Sequence, residues 1–483
     1  MVHLGPKPPA ARKGSMTDVP KELMDRIDHY REIFTVSPEQ MREISDHFAA
    51  ELAKGLSKEG GNVPMNPGWV LDFPTGKETG DYLAIDLGGT NLRVVLVKLG
   101  GNRDFDSTQS KYALPDNIRT ASADELWNFI ADCLKKFVDE EFPHGVEDGK
   151  LLPLGFTFSY PATQHAINVG ILQRWTKGFD IANVEGHDVV PMLQAAIEKR
   201  SIPIKIVAVI NDTTGTLVAS AYADPEARMG LIFGTGCNGA YYDVCGDIPK
   251  LEGCLPDDVS PETPMAINCE YGSFDNEHKV LPRTNIDVQI DAESPRPGQQ
   301  AFEKMISGYY LGEVLRLALV EVCEMGLIFE NQNLEKLRLP FYLDASYPSR
   351  VEQDPFENLS DTEDLFKNEL GISTTEPERK LIRAVSEMIG TRAARLAVCG
   401  IAGICKKRGY TTAHCAADGS VYEKYPGFKE RAAKGLRDIF QWETAEDPIV
   451  IVAAEDGSGA GAAIIAALTE KRLAVGKSVG ARK

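Results

Sequence analysis

The segment Asp81-Tyr-Leu-Ala-Ile-Asp86-Leu-Gly88-Gly89-Thr90-Asn91-Leu-Arg93-Val-Val-Leu-Val97 constrains this chain more than any other. It reads as a strand, a tight glycine turn and a second strand, with an aspartate entering the turn. Two adjacent glycines let the backbone bend sharply and present bare N–H groups to an anion. Thr90 adds a hydroxyl donor, and Asp86 is placed to hold Mg2+ through its water. A plain hairpin would account for Gly88 and Gly89 alone. It would not account for the aspartate, the threonine leaving the turn, or Arg93 just inside the next strand, so the pattern implies a site for nucleotide phosphates.

A second stretch repeats this logic. Met229–Val244 is again strand, glycine turn (Gly234-Thr235-Gly236) and strand. Gly234, Gly236 and Gly239 formally satisfy G-x-G-x-x-G, but a dinucleotide site needs a helix after the glycines, and Ala240–Val244 reads as a strand. A Rossmann site is therefore rejected, and no G-x-x-x-x-G-K-[ST] exists to make a P-loop. Two such turns in the two halves of the chain imply a duplicated architecture with a nucleotide between the halves. A third cluster, Pro448–Ala463, reads as a strand, a glycine turn with Gly457, Ser458 and Gly459, and an alanine-rich helix suited to close approach by an adenosine. Ala416–Ser420 is a weaker candidate of the same kind.

With 483 residues there is material for about three domains. The 71 acidic against 52 basic residues leave a net charge of −19, which excludes a general binder of nucleic acids or anionic membranes. The nine cysteines form no C-x-x-C pair and no signal peptide is read, so reduced thiols in a cytoplasmic protein are expected. The apolar run near Ala460–Leu468 is too short for a bilayer, and the sequons at Asn211 and Asn358 carry no meaning without secretion. Residues 1–20, with four prolines and few apolar side chains, read as a mobile tail. Ser37-Pro38-Glu39-Gln40 reads as a helix start, and Ala123–Glu140 as a helix with Leu126, Phe129, Ile130, Leu134 and Phe137 as its buried stripe. Strands are expected at Leu152–Phe158, Ile204–Ile210, Gly230–Phe233, Ala240–Val244 and Ile449–Ala453, with long helices over Phe302–Val322 and Arg379–Cys405. This mixture predicts α/β lobes.

These motifs carry a resemblance that covers nearly the whole chain after the tail: it resembles a hexokinase of the actin-like ATPase superfamily, closest to the fungal hexokinases. Leu83–Val97 resembles that family's first phosphate motif, Phe233–Asp243 the second, and Glu455–Ala463 the adenosine end. Between them lie segments similar to its sugar-binding stretches: Phe156–Ala162, Gln173–Phe179, Asn211–Ala219, Asn268–Phe274 and Pro297–Met305. Phe233 and Cys237 are local variants beside the glycines. The resemblance implies a two-lobed actin-like ATPase (ribonuclease H-like) α/β fold whose small and large lobes close around a cleft. It implies ATP-dependent phosphorylation of glucose, fructose and mannose at the 6-hydroxyl, with MgATP as phosphoryl donor.

A sugar is a ring of hydroxyls, so its site needs convergent donors and acceptors on rigid supports. Ser159, Thr176, Lys177, Asn211, Asp212, Asn238, Glu270 and Glu303 supply that chemistry, each in a segment matching the family's sugar pattern. A lone Glu303 on a helix would read as a surface carboxylate; the constellation reverses that reading. Asp212 follows an apolar strand and precedes Thr213-Thr-Gly-Thr, where it could also cap a helix. By resemblance it is the base that accepts the 6-hydroxyl proton, with Lys177 ligating sugar or offsetting phosphoryl charge. Thr90, Arg93 and Thr235 would hold phosphates with Gly88, Gly89, Asn91, Gly234 and Gly236, Asp86 would orient the hydrated metal, and Lys111, Ser420, Gly457 and Ser458 would complete the ATP site.

These roles place residues 21–76 and 211–457 in the large lobe, and 77–210 with 458–483 in the small one. Glucose should therefore close the cleft. A glucose-restricted glucokinase and a glucose sensor of this fold remain alternatives, although a non-catalytic relative could dispense with Asp212, Thr90 or the glycine turns and all are present. In the tail, Arg12-Lys13-Gly14-Ser15 is a pattern basophilic kinases read. The cationic Lys7, Arg12 and Lys13 contrast with the acidic whole, so a reversible homodimer weakened by Ser15 phosphorylation is expected. The expected location is cytoplasmic, which leaves a minor nuclear pool open.

Overall fold

Along Thr79–Leu87 (β1), Leu83, Ile85 and Leu87 alternate with Ala84 and Asp86, so the strand offers a bulky apolar face and a face of small or polar residues. The two faces have different fates. Leu83, Ile85 and Leu87 pack with Leu126, Ile130, Leu134 and Phe137 of the helix Ala123–Glu141 (α2, which follows the capped helix Pro38–Leu56, α1), whereas Ala84 joins the core that contains the C-terminal helix. The computed structural model that shows this describes residues 16–147, 149–175, 179–454 and 457–482.

β1 is flanked by Asn91–Gly100 (β2) and Phe105–Ala113 (β3) on one side, and by Leu152–Phe158 (β4) and Ile204–Ile210 (β5) on the other, in the order β3-β2-β1-β4-β5. The first three strands are antiparallel and the last two parallel. A second sheet is built from Ala227–Phe233 (β6), Cys237–Val244 (β7), Pro264–Asn268 (β8), Ala413–Asp418 (β9) and Ile449–Ala453 (β10). Its order is β8-β7-β6-β9-β10, with Asn66–Pro67 added outside β8. Here too the first three are antiparallel and the last two parallel. The expected duplication is therefore one strand order used twice.

Asp212–Ala223 (α3) and Gly457–Ala474 (α7) lie between the two sheets. Glycines make that layer possible. A Cβ on Gly230 of β6 would sit 2.4 Å from the Leu217 nitrogen of α3, and one on Gly155 of β4 would sit 2.2 Å from the Ala462 oxygen of α7. The helices meet each other the same way, since a Cβ on Gly461 would lie 2.1 Å from the Gly215 oxygen. Each is inside van der Waals contact, so any side chain there would push the layers apart.

Two expectations are corrected. The helix read over Phe302–Val322 is two helices, Ala301–Ile306 (α4) and Gly308–Glu324 (α5), because Ser307 is extended and the Gly308 N–H donates to the Gly234 oxygen (2.8 Å). The tail read over residues 1–20 is packed from Met16 onward: Val19 is buried, and Asp18 pairs with Lys380 at 2.7 Å. Among the described residues one helix, Glu376–Arg408 (α6), is long and apolar enough to cross a membrane. With 83% of its most apolar window buried inside the protein, it is a core helix.

Candidate active site

β1 and β2 are in register with Asp86 opposite Arg93, Arg93 opposite Lys111 on β3, and Asp86 beside Thr157 on β4. Paired residues share a face of a sheet. Lys111, Arg93, Asp86 and Thr157 thus form one polar row on the face that meets α7. Ser458 in the first turn of α7 completes it: its hydroxyl donates to Asp86 Oδ2 (2.8 Å) and accepts from Arg93, while Thr157 Oγ1 donates to the Ser458 carbonyl (2.9 Å). Arg93 also reaches Asp86 Oδ2 at 3.1 Å.

The first glycine turn projects from the end of this row. The Gly88 N–H donates to the Asn91 oxygen (3.0 Å) and Asn91 Nδ2 to Thr90 Oγ1 (2.7 Å), which leaves Thr90 exposed. Arg119 holds the turn from behind with two bonds to the Gly89 carbonyl, at 2.7 and 3.1 Å. The second turn is closed by the Gly234 N–H on the Gly236 oxygen (2.9 Å), with Thr235 exposed at its tip. Gly419, at a positive φ of 109° that favours glycine, presses against this turn, where a Cβ would lie 2.5 Å from the Phe233 oxygen. That contact sets Ser420 beside the phosphate turn. Asp418, the last residue of β9, has its carboxyl raised above the usual range by burial, with Arg93 pulling the other way.

The hydroxyl-binding candidates form two groups. Ser159 and Asp212 each lie two residues beyond the paired positions Thr157 and Ile210, past the C-terminal ends of the neighbouring parallel strands β4 and β5. Asn211 caps α3, its side chain accepting from the Thr213 N–H (2.8 Å), so the cap is the asparagine and Asp212 is the first helical residue. One carboxylate oxygen of Asp212 accepts from the same N–H (2.8 Å) and from Thr213 Oγ1 (3.2 Å). The other oxygen takes no hydrogen bond among the described residues.

The second group lies on the larger sheet. Asn238 Nδ2 donates to Asn268 Oδ1 (2.7 Å) and Glu270 Oε1 (3.2 Å), Asn268 Nδ2 donates to the same Glu270 oxygen (2.8 Å), and the Glu270 N–H donates to Asn238 Oδ1 (2.9 Å). Glu270 is held at φ 55°, a left-handed conformation that turns its carboxylate into the cluster. Glu303 on α4 accepts from the Cys237 N–H (2.9 Å), and a Cβ on Gly236 would lie 2.6 Å from its Oε2. Burial pushes the Glu303 carboxyl up to about 7, helped by the nearby Glu270 and opposed by the Cys237 N–H, Arg296 and Lys304. Gly215, one turn into α3, touches Gly457 and Ser458, so the helix that begins at Asp212 abuts the polar row that holds Asp86.

Thr176, Lys177 and Ser15 lie outside the described residues. Sequence reasoning did not single out Arg119, Thr157, Asn268, Gln300 or Asp418. Gln300 is left-handed (φ 57°), and its buried Oε1 has no partner among the described residues, beside Gly272 and one turn before Glu303. Asn268 and Gln300 stood inside sugar-type segments, whereas nothing in the sequence marked Arg119.

Residues 26–222 and 228–468 match two family models, both described as hexokinase. The chain is 73% identical over 473 residues to a protein named hexokinase from Schwanniomyces occidentalis, covering 98% of each. It is 70% identical over 484 residues to hexokinase-2 of Saccharomyces cerevisiae, covering 99% of each. Among solved structures, a hexokinase from Schistosoma mansoni complexed with glucose matches with a TM-score of 0.82 at 35% identity, covering 92% of this chain and 99% of that one.

Proposed function

Because this chain belongs to the hexokinase family, with its two-lobed actin-like α/β fold and its transfer of a phosphoryl group from ATP to hexoses, we propose that Asp212 is the base of that reaction. The observation that carries this is the position of Asp212: just past the end of β5, at the start of the helix that touches Ser458, with one carboxylate oxygen unengaged among the described residues.

Ser159, Asn211, Asn238, Glu270 and Glu303, with Thr176, Lys177 and Gln300, bind the sugar hydroxyls. Asp212 takes the proton of the 6-hydroxyl as that oxygen bonds to the γ-phosphorus; the bond to the β,γ-bridging oxygen breaks and ADP leaves. The backbone N–H groups and hydroxyls of the two glycine turns, Thr90 and Thr235 among them, receive the phosphates. Lys111, Arg93, Ser420, Gly457 and Ser458 line the nucleotide side. The Asp86 carboxylate fits a hydrated Mg2+: Arg93 and Ser458 orient it through Oδ2, and Oδ1 takes no bond among the described residues. Bound there with ATP, the ion would neutralise phosphate charge. Turnover of glucose, fructose and mannose at fixed MgATP tests the function and separates a general hexokinase from a glucose-restricted one. Absence of turnover with all three would favour the sugar-sensor reading or a kinase for another sugar.

The lobes are assigned as residues 21–76 with 211–457, and 77–210 with 458–483, so sugar ligands come from both and glucose draws them together. Closure matters because water is also a nucleophile. Trp175 is set to report it: its ring is buried against Phe179 (5.4 Å) and Tyr160 (5.0 Å), its Nε1 bonds the Ile181 oxygen (3.0 Å), and Thr176 follows it directly. Glucose is expected to change tryptophan emission, and Trp175→Phe to remove most of that change. An undiminished signal in the variant would place the reporter at Trp69, Trp127 or Trp442.

A reversible homodimer in the cytoplasm is assigned from charge: Lys7, Arg12 and Lys13 meet an acidic surface of a second copy, and phosphorylation of Ser15 adds about −1.5 to −2 charges that oppose this. In sedimentation velocity, Ser15→Asp and added salt should both shift the population toward monomer. An unchanged dimer constant after deletion of residues 1–15 would sink the assignment.

A further inference from the structure

Beyond α7, the segment Ser478–Arg482 runs between two distant loops and is hydrogen-bonded to both. On one side, Ala166 and Gly480 form an antiparallel bridge, the Ile167 N–H donates to the Val479 oxygen (2.9 Å), and the Ala481 N–H donates to the His165 oxygen (2.6 Å). On the other, the Ser478 N–H donates to Asp258 Oδ2 (2.8 Å), the Arg482 N–H to the Cys254 oxygen (2.7 Å), and the Arg482 guanidinium pairs with Asp257. Arg472 on α7 fixes the approach, with Nε on the Ser478 oxygen (3.0 Å) and a second nitrogen on Asp72 (2.9 Å). Gly480 is demanded by space, since a Cβ there would lie 2.3 Å from the Ala166 Cβ and 2.8 Å from the His165 oxygen.

The strap reaches further than the loops it touches. Ile167 also accepts from the Val209 N–H (2.7 Å), and Gln164 Nε2 donates to the Val209 oxygen (2.8 Å). Val209 lies three residues before Asp212 on β5. One continuous backbone path, Val479 to Ile167 to Val209, therefore joins the strap to the edge that carries Asn211 and Asp212. The hairpin of Ala162–Thr163 and Ile171–Leu172, between Ser159 and Trp175, is anchored on the same loop.

We propose that Ser478–Arg482 is a positioning strap that holds the end of β5, just before Asn211 and Asp212, and the 162–172 hairpin against the 254–258 loop, so that sugar meets a nearly assembled half-site. Its residues touch neither sugar nor nucleotide. They act by limiting how far the hairpin and the β5 edge swing from the larger sheet before glucose arrives. The proposal rests on Asn211 and Asp212 being sugar-site residues. Failure of that assignment would show as full activity in an Asp212 variant, whereas failure of the strap shows only in the variants below.

Glycine 480 and the acidic pair test the two ends separately. Gly480→Val should lift the strap from residues 165–167, and Asp257→Ala with Asp258→Ala should release it from the other loop. Either is expected to raise the KM for glucose about five- to tenfold, leaving kcat within twofold and the KM for ATP unchanged, because bound sugar rebuilds the closed state in which chemistry occurs. Arg482→Lys, which keeps the charge, should stay near the parent, and Arg482→Ala should follow the acidic pair. Small-angle scattering should show the sugar-free variants expanded relative to the parent. An unchanged KM for glucose in both sets overturns the proposal. So does a joint loss of kcat, ATP affinity and melting temperature, which would mark the segment as general structural support.

Discussion

Asp212→Asn is expected to lower kcat by about 10²- to 10⁴-fold, the range a positioned general base contributes, while glucose binding persists. The amide keeps the volume and the hydrogen bonds from Thr213 that fix the side chain, so α3 and its Asn211 cap should form unchanged. What it loses is the capacity to take a proton from the attacking hydroxyl. Asn211→Ala offers the contrast: it removes the cap and a hydroxyl ligand but leaves the base, so it should raise the KM for glucose more than it lowers kcat. Glucose affinity by calorimetry and turnover by a coupled assay on the same preparations separate these effects. Turnover of Asp212→Asn within tenfold of the parent would remove Asp212 from the base role.

Glucose binding should release a proton near neutral pH, and Glu303→Gln should abolish that release. Burial raises the Glu303 carboxyl from its ordinary 4.5 to about 7, so at neutral pH the sugar-free protein holds it largely as a mixture of acid and anion. Sugar hydroxyls donate to a carboxylate and favour the anion, so binding should expel the remaining proton. Apparent glucose affinity should then fall as pH drops below 7, by up to tenfold per unit if only the anion binds well. Calorimetry near pH 6.5 in two buffers of different ionisation enthalpy measures the proton directly; an identical heat in both would refute the linkage. The same shift acts on the sugar-free fold. Because the folded pKa lies above the unfolded one, the folded state keeps a proton that the unfolded chain has lost, and that contribution disappears as pH rises from about 4.5 through 7. Its size is on the order of 3 kcal/mol. Glu303→Gln should flatten this part of the stability curve.

Much of the scaffold was legible because its signals are local. Leu152–Phe158, Ile204–Ile210 and Ile449–Ala453 are apolar runs between polar ends, and each is a strand over the expected residues. The glycine motif at Gly234 was correctly denied a dinucleotide because the residues after it form β7. Illegible features came from distant parts of the chain. Periodicity runs unbroken through Ser307, and the carbonyls of Gly234 and Thr235, more than seventy residues earlier, take the N–H groups of Gly308 and Tyr309 and break the helix there. Ala413–Asp418 carries no β-branched side chain, yet it is a strand because β6 and β10 pair with it on both sides. In the site, Asp86, Arg93 and Glu270 announced themselves through turn chemistry and motif. Thr157 owes its place to strand register, Asn268 to the bond that Asn238 sends across from β7, and Arg119 to a hydrogen bond across 30 residues. No short window of sequence contains such relations.

Gly215 and Gly461, where α3 crosses α7, have a consequence for how temperature should act on the enzyme. Most packed helices interlock through side chains, and sliding one past another means lifting teeth out of notches. Here the crossing presents backbone to backbone, with only a hydrogen where each tooth would be. A joint of that kind should act as a smooth bearing, letting the sheets on either side roll through small angles without breaking and remaking a set of contacts. Cooling, which slows rotamer exchange in an interlocked interface, should find little to freeze at this one.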